Sequence, residues 1–311
     1  MNVVFMGTPE FAVPSLKALV ENGYAVSAVF TQPDRPRGRG MKLTPPPVKE
    51  YALGQGIEVF QPQSLKRESE TVTPLIRSFE PDFIVVAAYG KLLPPEILEI
   101  PRLGCINVHS SLLPKYRGAA PLQWTVINGD EVGGVTTMLM AEEMDAGDIL
   151  LKKSVPLLEN ETAYELYDRL SEVGAGLLID TLKGLEEKKI TPTPQDGSKA
   201  TLAPMLSKEM SPLDFNGSAK AICSRINGLS DWPCATVAVE GKRLKIYRAA
   251  VFSLSGEYRP GEVLDPNEFI IGCKSGAVRL LEVQAEGSKR MSAKDYLRGR
   301  PLKKGAVLSA E

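Results

Sequence analysis

Apolar residues in the first 190 positions fall into short continuous runs separated by amphipathic stretches. Asn2 to Met6 is such a run, followed by the turn Gly7-Thr8-Pro9-Glu10 and a helical spacing through Phe11, Leu16, Leu19 and Val20 that stops at Gly23. Tyr24 to Phe30, Ile57 to Phe60 and Asp82 to Tyr89 predict further strands, the last apolar enough to be buried on both faces. Ser64 to Phe79 carries a helical pattern between two of them. Val135 to Met140 and Ile149 to Val155 also read as strands. Thr162 to Lys188 reads as a long amphipathic helix whose apolar positions, among them Leu166, Tyr167, Leu170, Leu178 and Leu182, are assigned to the core alone. This alternation predicts an α/β fold with a Rossmann-like, open, mostly parallel sheet.

The pattern changes after Lys189. Ile190 to Met205 is rich in Pro, Thr and polar residues and has no apolar period, which predicts a linker over residues 190–207. Ser211 to Asn227 predicts a helical opening to a second domain. Five alternating runs follow, Ala235 to Val239, Leu244 to Ala249, Gly261 to Leu264, Phe269 to Cys273 and Val278 to Glu282, spaced like a small antiparallel β-barrel. The expected organisation is a catalytic domain over residues 1–189, the linker, and a barrel domain over 208–311.

Composition adds little to the fold but bounds the function. The chain has 311 residues, 43% hydrophobic and 24% charged, enough for one large core and a smaller one. Cys105, Cys223, Cys234 and Cys273 are far apart and form no C-x-x-C pair, so no zinc site, other metal or disulfide framework is expected. Neither a basic region leading a long apolar stretch nor a run of about 18 apolar residues occurs. The reading is a cytoplasmic protein with no membrane partner, expected to be a monomer. Net charge is -1, but its distribution is uneven. Leu206 to Glu311 holds 17 Lys and Arg against 12 Asp and Glu, net +5, leaving 20 against 26, net -6, for the rest.

Basic residues concentrate in two places. Thr31 to Lys49 carries Arg35, Arg37, Arg39, Lys42 and Lys49 against Asp34, with five prolines and two glycines, which excludes a helix or a central strand and predicts an exposed loop. Such a loop is either a solvated surface or an arm that meets phosphates, with Arg39, between Gly38 and Gly40, placed to insert deepest. Lys289 to Lys304 holds seven basic residues against Asp295, beginning with Lys289 and Arg290, and reads either as a solvated tail or, on a barrel beside the basic loop, as a phosphate-tracking surface.

Candidate chemistry centres on Gly104 to Trp124, which contains the only histidine. Alternation from Cys105 to His109 sends Asn107 and His109 from one strand face, and Ile106 and Val108 from the other. After an irregular Ser-Ser-Leu-Leu-Pro segment a helix is expected to start near Pro121. An imidazole beside an amide, exposed at a strand's carboxyl end, suits chemistry on an acyl or formyl group, because both side chains can donate to a developing oxyanion. The same residues also fit a structural histidine held in a loop, and the Asn-x-His pair alone does not decide between them. Gly7-Thr8-Pro9-Glu10-Phe11-Ala12 lacks the G-x-G-x-x-G pattern and reads as a tight turn bordering the crevice, with no dinucleotide role.

Taken together, Asn107-Val108-His109, Ser111-Leu112-Leu113-Pro114, Tyr116-Arg117-Gly118-Ala119-Ala120-Pro121 and Asp145-Ala146-Gly147-Asp148 resemble the formyltransferase family that uses 10-formyltetrahydrofolate. The resemblance runs from Val4 to about Lys303. It implies formyl transfer from the folate to the amino group of methionine on initiator Met-tRNA, with Asn107, His109 and Asp145 catalytic and Ser110, Ser111, Leu112, Leu113 and Pro114 beside the folate. It further implies that the Thr31 to Lys49 loop enters the end of the tRNA acceptor stem, and that the C-terminal domain is OB-like and touches tRNA. A sugar-amine formyltransferase or a formate-releasing hydrolase would share the triad, but a small acceptor needs neither the basic loop nor the +5 domain. A tRNA-binding module without catalysis is disfavoured by the presence of all three triad residues. A serine hydrolase is disfavoured by the lack of a G-x-S-x-G elbow.

Overall fold

The computed structural model describes residues 1–37, 41–254 and 256–310, so Arg39 lies outside the described residues, as does the side chain of Arg37. Two compact units emerge: residues 1–118, 134–155 and 167–202 form one, and residues 119–133, 156–166 and 203–311 form the other.

The first unit begins with β1 (Asn2–Gly7), a 3-10 turn and α1 (Val13–Glu21), then β2 (Ala25–Phe30). A hairpin of β3 (Arg35–Arg37) and β4 (Lys42–Thr44) precedes α2 (Pro47–Gly54), β5 (Val59–Phe60), α3 (Ser69–Ser78), β6 (Phe83–Ala87), α4 (Pro95–Leu98) and β7 (Cys105–His109). Next in the chain come β8 (Arg117–Gly118), α5 (Pro121–Ile127), which belongs to the second unit, then β9 (Val132–Leu139), β10 (Ile149–Pro156), α6 (Ala163–Glu186) and β11 (Leu202–Ala203).

The central sheet has the order β10-β9-β7-β6-β1-β2-β5. Strands β7, β6, β1, β2 and β5 are parallel, and β9 runs antiparallel to β7. All five residues of β6 are buried, as a strand covered on both faces requires. Because the chain returns to the far side of β1 after β5, the strand order reverses at the carboxyl ends of β1 and β6. There the Thr8 hydroxyl and the Gln32 amide both donate to the Tyr89 carbonyl, each at 3.1 Å. Gly7 serves packing: a Cβ on it would stand 2.7 Å from the Phe5 ring and 2.9 Å from the Ala87 carbonyl oxygen.

Thr31 to Lys49 is not the single open loop expected. Thr31 is fully buried, Pro36 opposes Leu43 and Arg37 opposes Lys42 in the hairpin, and α2 starts at Pro47, whose locked φ suits a first helical position. Pro36 is tolerated because a two-stranded ribbon is all edge. Lys49 anchors the base of the hairpin, its ammonium 2.9 Å from both Asp34 oxygens and 2.7 Å from Gln61 Oε1. The apolar stripe of α6 lies inward, with one addition to the core reading: the Tyr167 hydroxyl accepts from the Phe11 N–H at 2.8 Å.

The second unit contains α7 (Ala219–Gly228), β12 (Ala235–Val239), β13 (Lys242–Phe252), β14 (Val263–Asp265), β15 (Ile270–Gly272), β16 (Ala277–Ala285), β17 (Met291–Ser292) and α8 (Ala293–Gly299). The helical opening is shorter than expected. Its start is set by the Ser218 hydroxyl, which caps the Ala221 N–H at 3.2 Å, while Pro212 bridges Thr236 in extended form. The sheet order is β12-β13-β16-β15-β14, antiparallel throughout, with β17 on β16. Its two outer strands are joined through residues 305–309: Val263 N–H donates to Ala306 O and Ala238 N–H to Ser309 O, both at 2.8 Å. One C-terminal segment therefore closes the sheet into a barrel, around Phe215, Ile226, Val237, Ile246, Phe269 and Leu280.

All four cysteines are free and buried. Burial pushes the Cys105 and Cys273 thiols up to about 12, and those of Cys223 and Cys234 up to about 11. The folded protein is therefore expected to resist iodoacetamide at pH 8 and to take up four equivalents once unfolded. Rapid alkylation of the native protein, followed by mass spectrometry, would contradict this packing. No helix among the described residues is long and apolar enough to cross a membrane.

Candidate active site

Strand β7 lies between β6 and β9, with Asn107 opposite Met138 and His109 opposite Thr136. Alternation places Asn107 and His109 on one face, and Asn107 is partly exposed. The imidazole is not exposed as expected: His109 is 6% accessible, because the following loop folds back and sets the Tyr116 carbonyl 3.0 Å from its Nε2. A carbonyl only accepts, so the neutral ring carries its proton on Nε2 and its lone pair on Nδ1. Nδ1 faces Asp145, with Oδ1 at 3.7 Å.

Asp145 sits in the turn between β9 and β10 with φ of 52°, a left-handed backbone that a non-glycine residue holds at a cost of about 1–3 kcal/mol. Several bonds hold it there. Its Oδ2 accepts from the Gly118 N–H at 2.9 Å. The Gln195 amide nitrogen donates to the carbonyls of Asp145 and Gly147, both at 2.8 Å. The Gln195 oxygen in turn accepts from Arg117 Nε at 3.1 Å and Nη2 at 2.9 Å. Gly147 permits the turn to close on β9, since a Cβ there would fall 1.9 Å from the Leu139 carbonyl oxygen. Gly147→Ala is expected to destabilise the protein by about 1–3 kcal/mol and to lower activity as the turn shifts; an unchanged melting temperature with full turnover would contradict this.

The loop after His109 is tied down from inside. The Ser111 hydroxyl donates to Lys115 O at 2.6 Å, and its carbonyl accepts from Thr136 Oγ1 at 2.7 Å. Leu113 N–H donates to the same Thr136 hydroxyl at 3.1 Å, and the Lys152 ammonium donates to the Leu113 carbonyl. Ser111 and Leu113 are thus buried and engaged within the protein, whereas Ser110, Leu112 and Pro114 are half-buried and can face a ligand.

The sequence-predicted cations separate by environment. Arg35 and Lys42 are exposed on the hairpin, and the backbone of Arg37 belongs to β3. In the second unit Lys289 is exposed. Arg290 lies over the Tyr247 ring at 4.4 Å, with Nη1 2.7 Å from Asp231 Oδ1 and Nε 2.9 Å from Glu282 Oε2, so its charge is largely matched within the protein. Residues 190–207, read as a linker, bond along much of their length: Thr193 pairs with Ile149 in both directions, and Arg117 N–H donates to Thr201 O at 2.8 Å. Sequence reasoning had no role for Gln195, Arg117, Thr136 or Lys152.

The site therefore joins a buried imidazole and a half-buried carboxylate to a partly exposed amide at the end of a strand. With Nε2 bonded to a backbone carbonyl, Nδ1 is the ring atom that gains or gives a proton, and a charged ring with the Asn107 amide offers two donors to an oxyanion. The formyl transferase family model matches residues 1–182, and that of the formyl transferase C-terminal domain matches residues 205–301. The methionyl-tRNA formyltransferase of Caldanaerobacter subterraneus subsp. tengcongensis is 50% identical over 309 residues, 99% of this chain and 100% of its own. That of Lachnospira eligens is 49% identical over 315 residues, 99% of each chain. Among solved structures, WlaRD, a sugar 3N-formyltransferase crystallised in the presence of dTDP and 5-N-formyltetrahydrofolate, superposes with a TM-score of 0.70 at 17% identity, covering 93% of this chain and 99% of its own. The two family models and the full-length likeness agree: the chain belongs to the methionyl-tRNA formyltransferases of the formyl transferase family.

Proposed function

We propose that His109, Asn107 and Asp145 carry the transfer of a formyl group from 10-formyltetrahydrofolate to the amino group of methionine on initiator Met-tRNA. The observation that carries this assignment is the placement of Asp145 against the Nδ1 side of a buried imidazole whose Nε2 is already bonded. The methionine amine attacks the formyl carbon and the carbonyl oxygen becomes an oxyanion. Asn107 Nδ2 and the His109 ring donate to it, and Asp145 orients the ring. A proton leaves the attacking amine and reaches N10 of the folate through Asp145. The bond from N10 to the formyl carbon then breaks, giving formylmethionyl-tRNA and tetrahydrofolate. Water exclusion around the pair strengthens each of these contacts.

Ser110, Leu112 and Pro114 border the folate, and Ser111 and Leu113 hold that loop in shape. Arg35, Arg37, Arg39 and Lys42 meet the phosphates of the acceptor end, with Lys289 contributing from the barrel domain, where Arg290 is held by Asp231 and Glu282. Residues 1–189 supply the chemistry and 208–311 the second tRNA surface, joined through 190–207. The enzyme is taken as a monomer acting in the cytoplasm. Stoichiometry tests the acceptor: one tetrahydrofolate should appear for each formylated tRNA, and tetrahydrofolate formed without formylated tRNA would remove tRNA from the proposal.

A further inference from the structure

Gln195 joins groups that are remote in sequence, and chemistry fixes which way its amide points. Two of its partners, the carbonyls of Asp145 and Gly147, can only accept; the other two, Nε and Nη2 of Arg117, can only donate. The nitrogen must therefore face the turn and the oxygen the guanidinium. Arg117 is itself tethered beside the site, since its backbone N–H donates to Thr201 and the next residue's N–H donates to the Asp145 carboxylate. The turn is thus held at its carboxylate by Gly118 and at its carbonyls by Gln195, while Asp145 keeps a left-handed backbone.

We propose that Gln195 is a positioning residue for Asp145. Its amide nitrogen locks the Asp145–Gly147 carbonyls, the Arg117 guanidinium locks the amide, and the carboxylate is thereby aimed at His109 Nδ1. Residues 190–202 then belong to the catalytic apparatus and do more than tether the next domain. The proposal rests on Asp145 acting in formyl transfer, as assigned above. A carboxylate released from this clamp changes its distance to the imidazole without altering the tRNA or folate surfaces, so the effect falls on kcat and not on KM.

Gln195→Glu separates this role from simple support of Arg117. The new carboxylate still accepts from the guanidinium, more strongly than before, but sets an oxygen against two carbonyl oxygens. Displacement of a catalytic group by about 1 Å costs on the order of 10²-fold. Gln195→Glu is expected to lower kcat about 10- to 100-fold while KM for Met-tRNA and for 10-formyltetrahydrofolate stays within about twofold. Gln195→Met, close in volume but without the bonds, should behave alike. A second readout is independent of turnover: His109 is the only histidine, so its imidazole nitrogens give one set of NMR signals. Those signals should move in Gln195→Glu toward their positions in Asp145→Asn. Near-normal kcat in Gln195→Glu, a loss confined to KM, an unmoved imidazole spectrum, or a chain that fails to fold would each overturn the proposal, the last because Gln195 would then be holding the fold. If Asp145→Asn itself kept full kcat, the assignment of Asp145 would fail instead.

Discussion

Replacing His109 or Asp145 with Ala is expected to lower kcat for formyl transfer by about 10²- to 10⁴-fold, with little change in KM for either substrate. The magnitude follows from what each group does in a buried site. In the proposed mechanism His109→Ala removes an oxyanion donor, and Asp145→Ala removes the proton path and the carboxylate that faces Nδ1 across 3.7 Å. Since the two act as one unit, the double variant should be about as slow as the slower single variant and not the product of the two. His109→Ala also leaves the Tyr116 carbonyl without its ring partner, which costs about 1–3 kcal/mol, so circular dichroism and thermal unfolding belong beside the kinetics. Near-normal kcat in a folded variant of either residue would remove it from the mechanism.

The second large effect concerns the hairpin. Substituting Ala for Arg35, Arg37, Arg39 and Lys42 together is expected to raise KM for Met-tRNA about 10- to 100-fold near physiological salt. Every phosphate left without its cation should reduce the slope of log KM against log salt by about 1. The folate KM should not move, because none of the four belongs to the loop after β7. The carboxylate–ammonium bond between Asp34 and Lys49 stays intact at the base of the hairpin, which isolates the electrostatic loss from a folding defect. An unchanged salt slope would show that these cations meet solvent and not phosphate.

How much of this was legible in the sequence depends on the range of the interactions concerned. Strand β7 and the shared face of Asn107 and His109 follow from two-residue alternation, a local property, and β6 is marked by its unbroken apolar run. The likeness of the motifs at 107–121 and 145–148 pointed to Asp145, and the structure brings it to His109. Burial of the imidazole was not legible, because it depends on where the Tyr116 carbonyl returns after an irregular loop. Gln195 was hidden for the same reason: it stands in a Pro- and Thr-rich stretch without apolar period, and its partners lie 50 and 78 positions away. The closing segment 305–309 has no alternation to announce it, since its order comes from backbone bonds to strands on both edges of the barrel. Likewise the hairpin in Thr31 to Lys49 has no buried face among its described residues to set a pattern, and its proline content argued only against a helix or a central strand.

The most direct test of the proposed reaction is a rapid-quench measurement of formyl transfer from 10-formyltetrahydrofolate to Met-tRNA, run with initiator and elongator tRNAs across a salt series. The assignment predicts fast, initiator-selective formylation whose KM rises steeply with salt. Folate turnover that yields formate and leaves both tRNAs unmodified would contradict it.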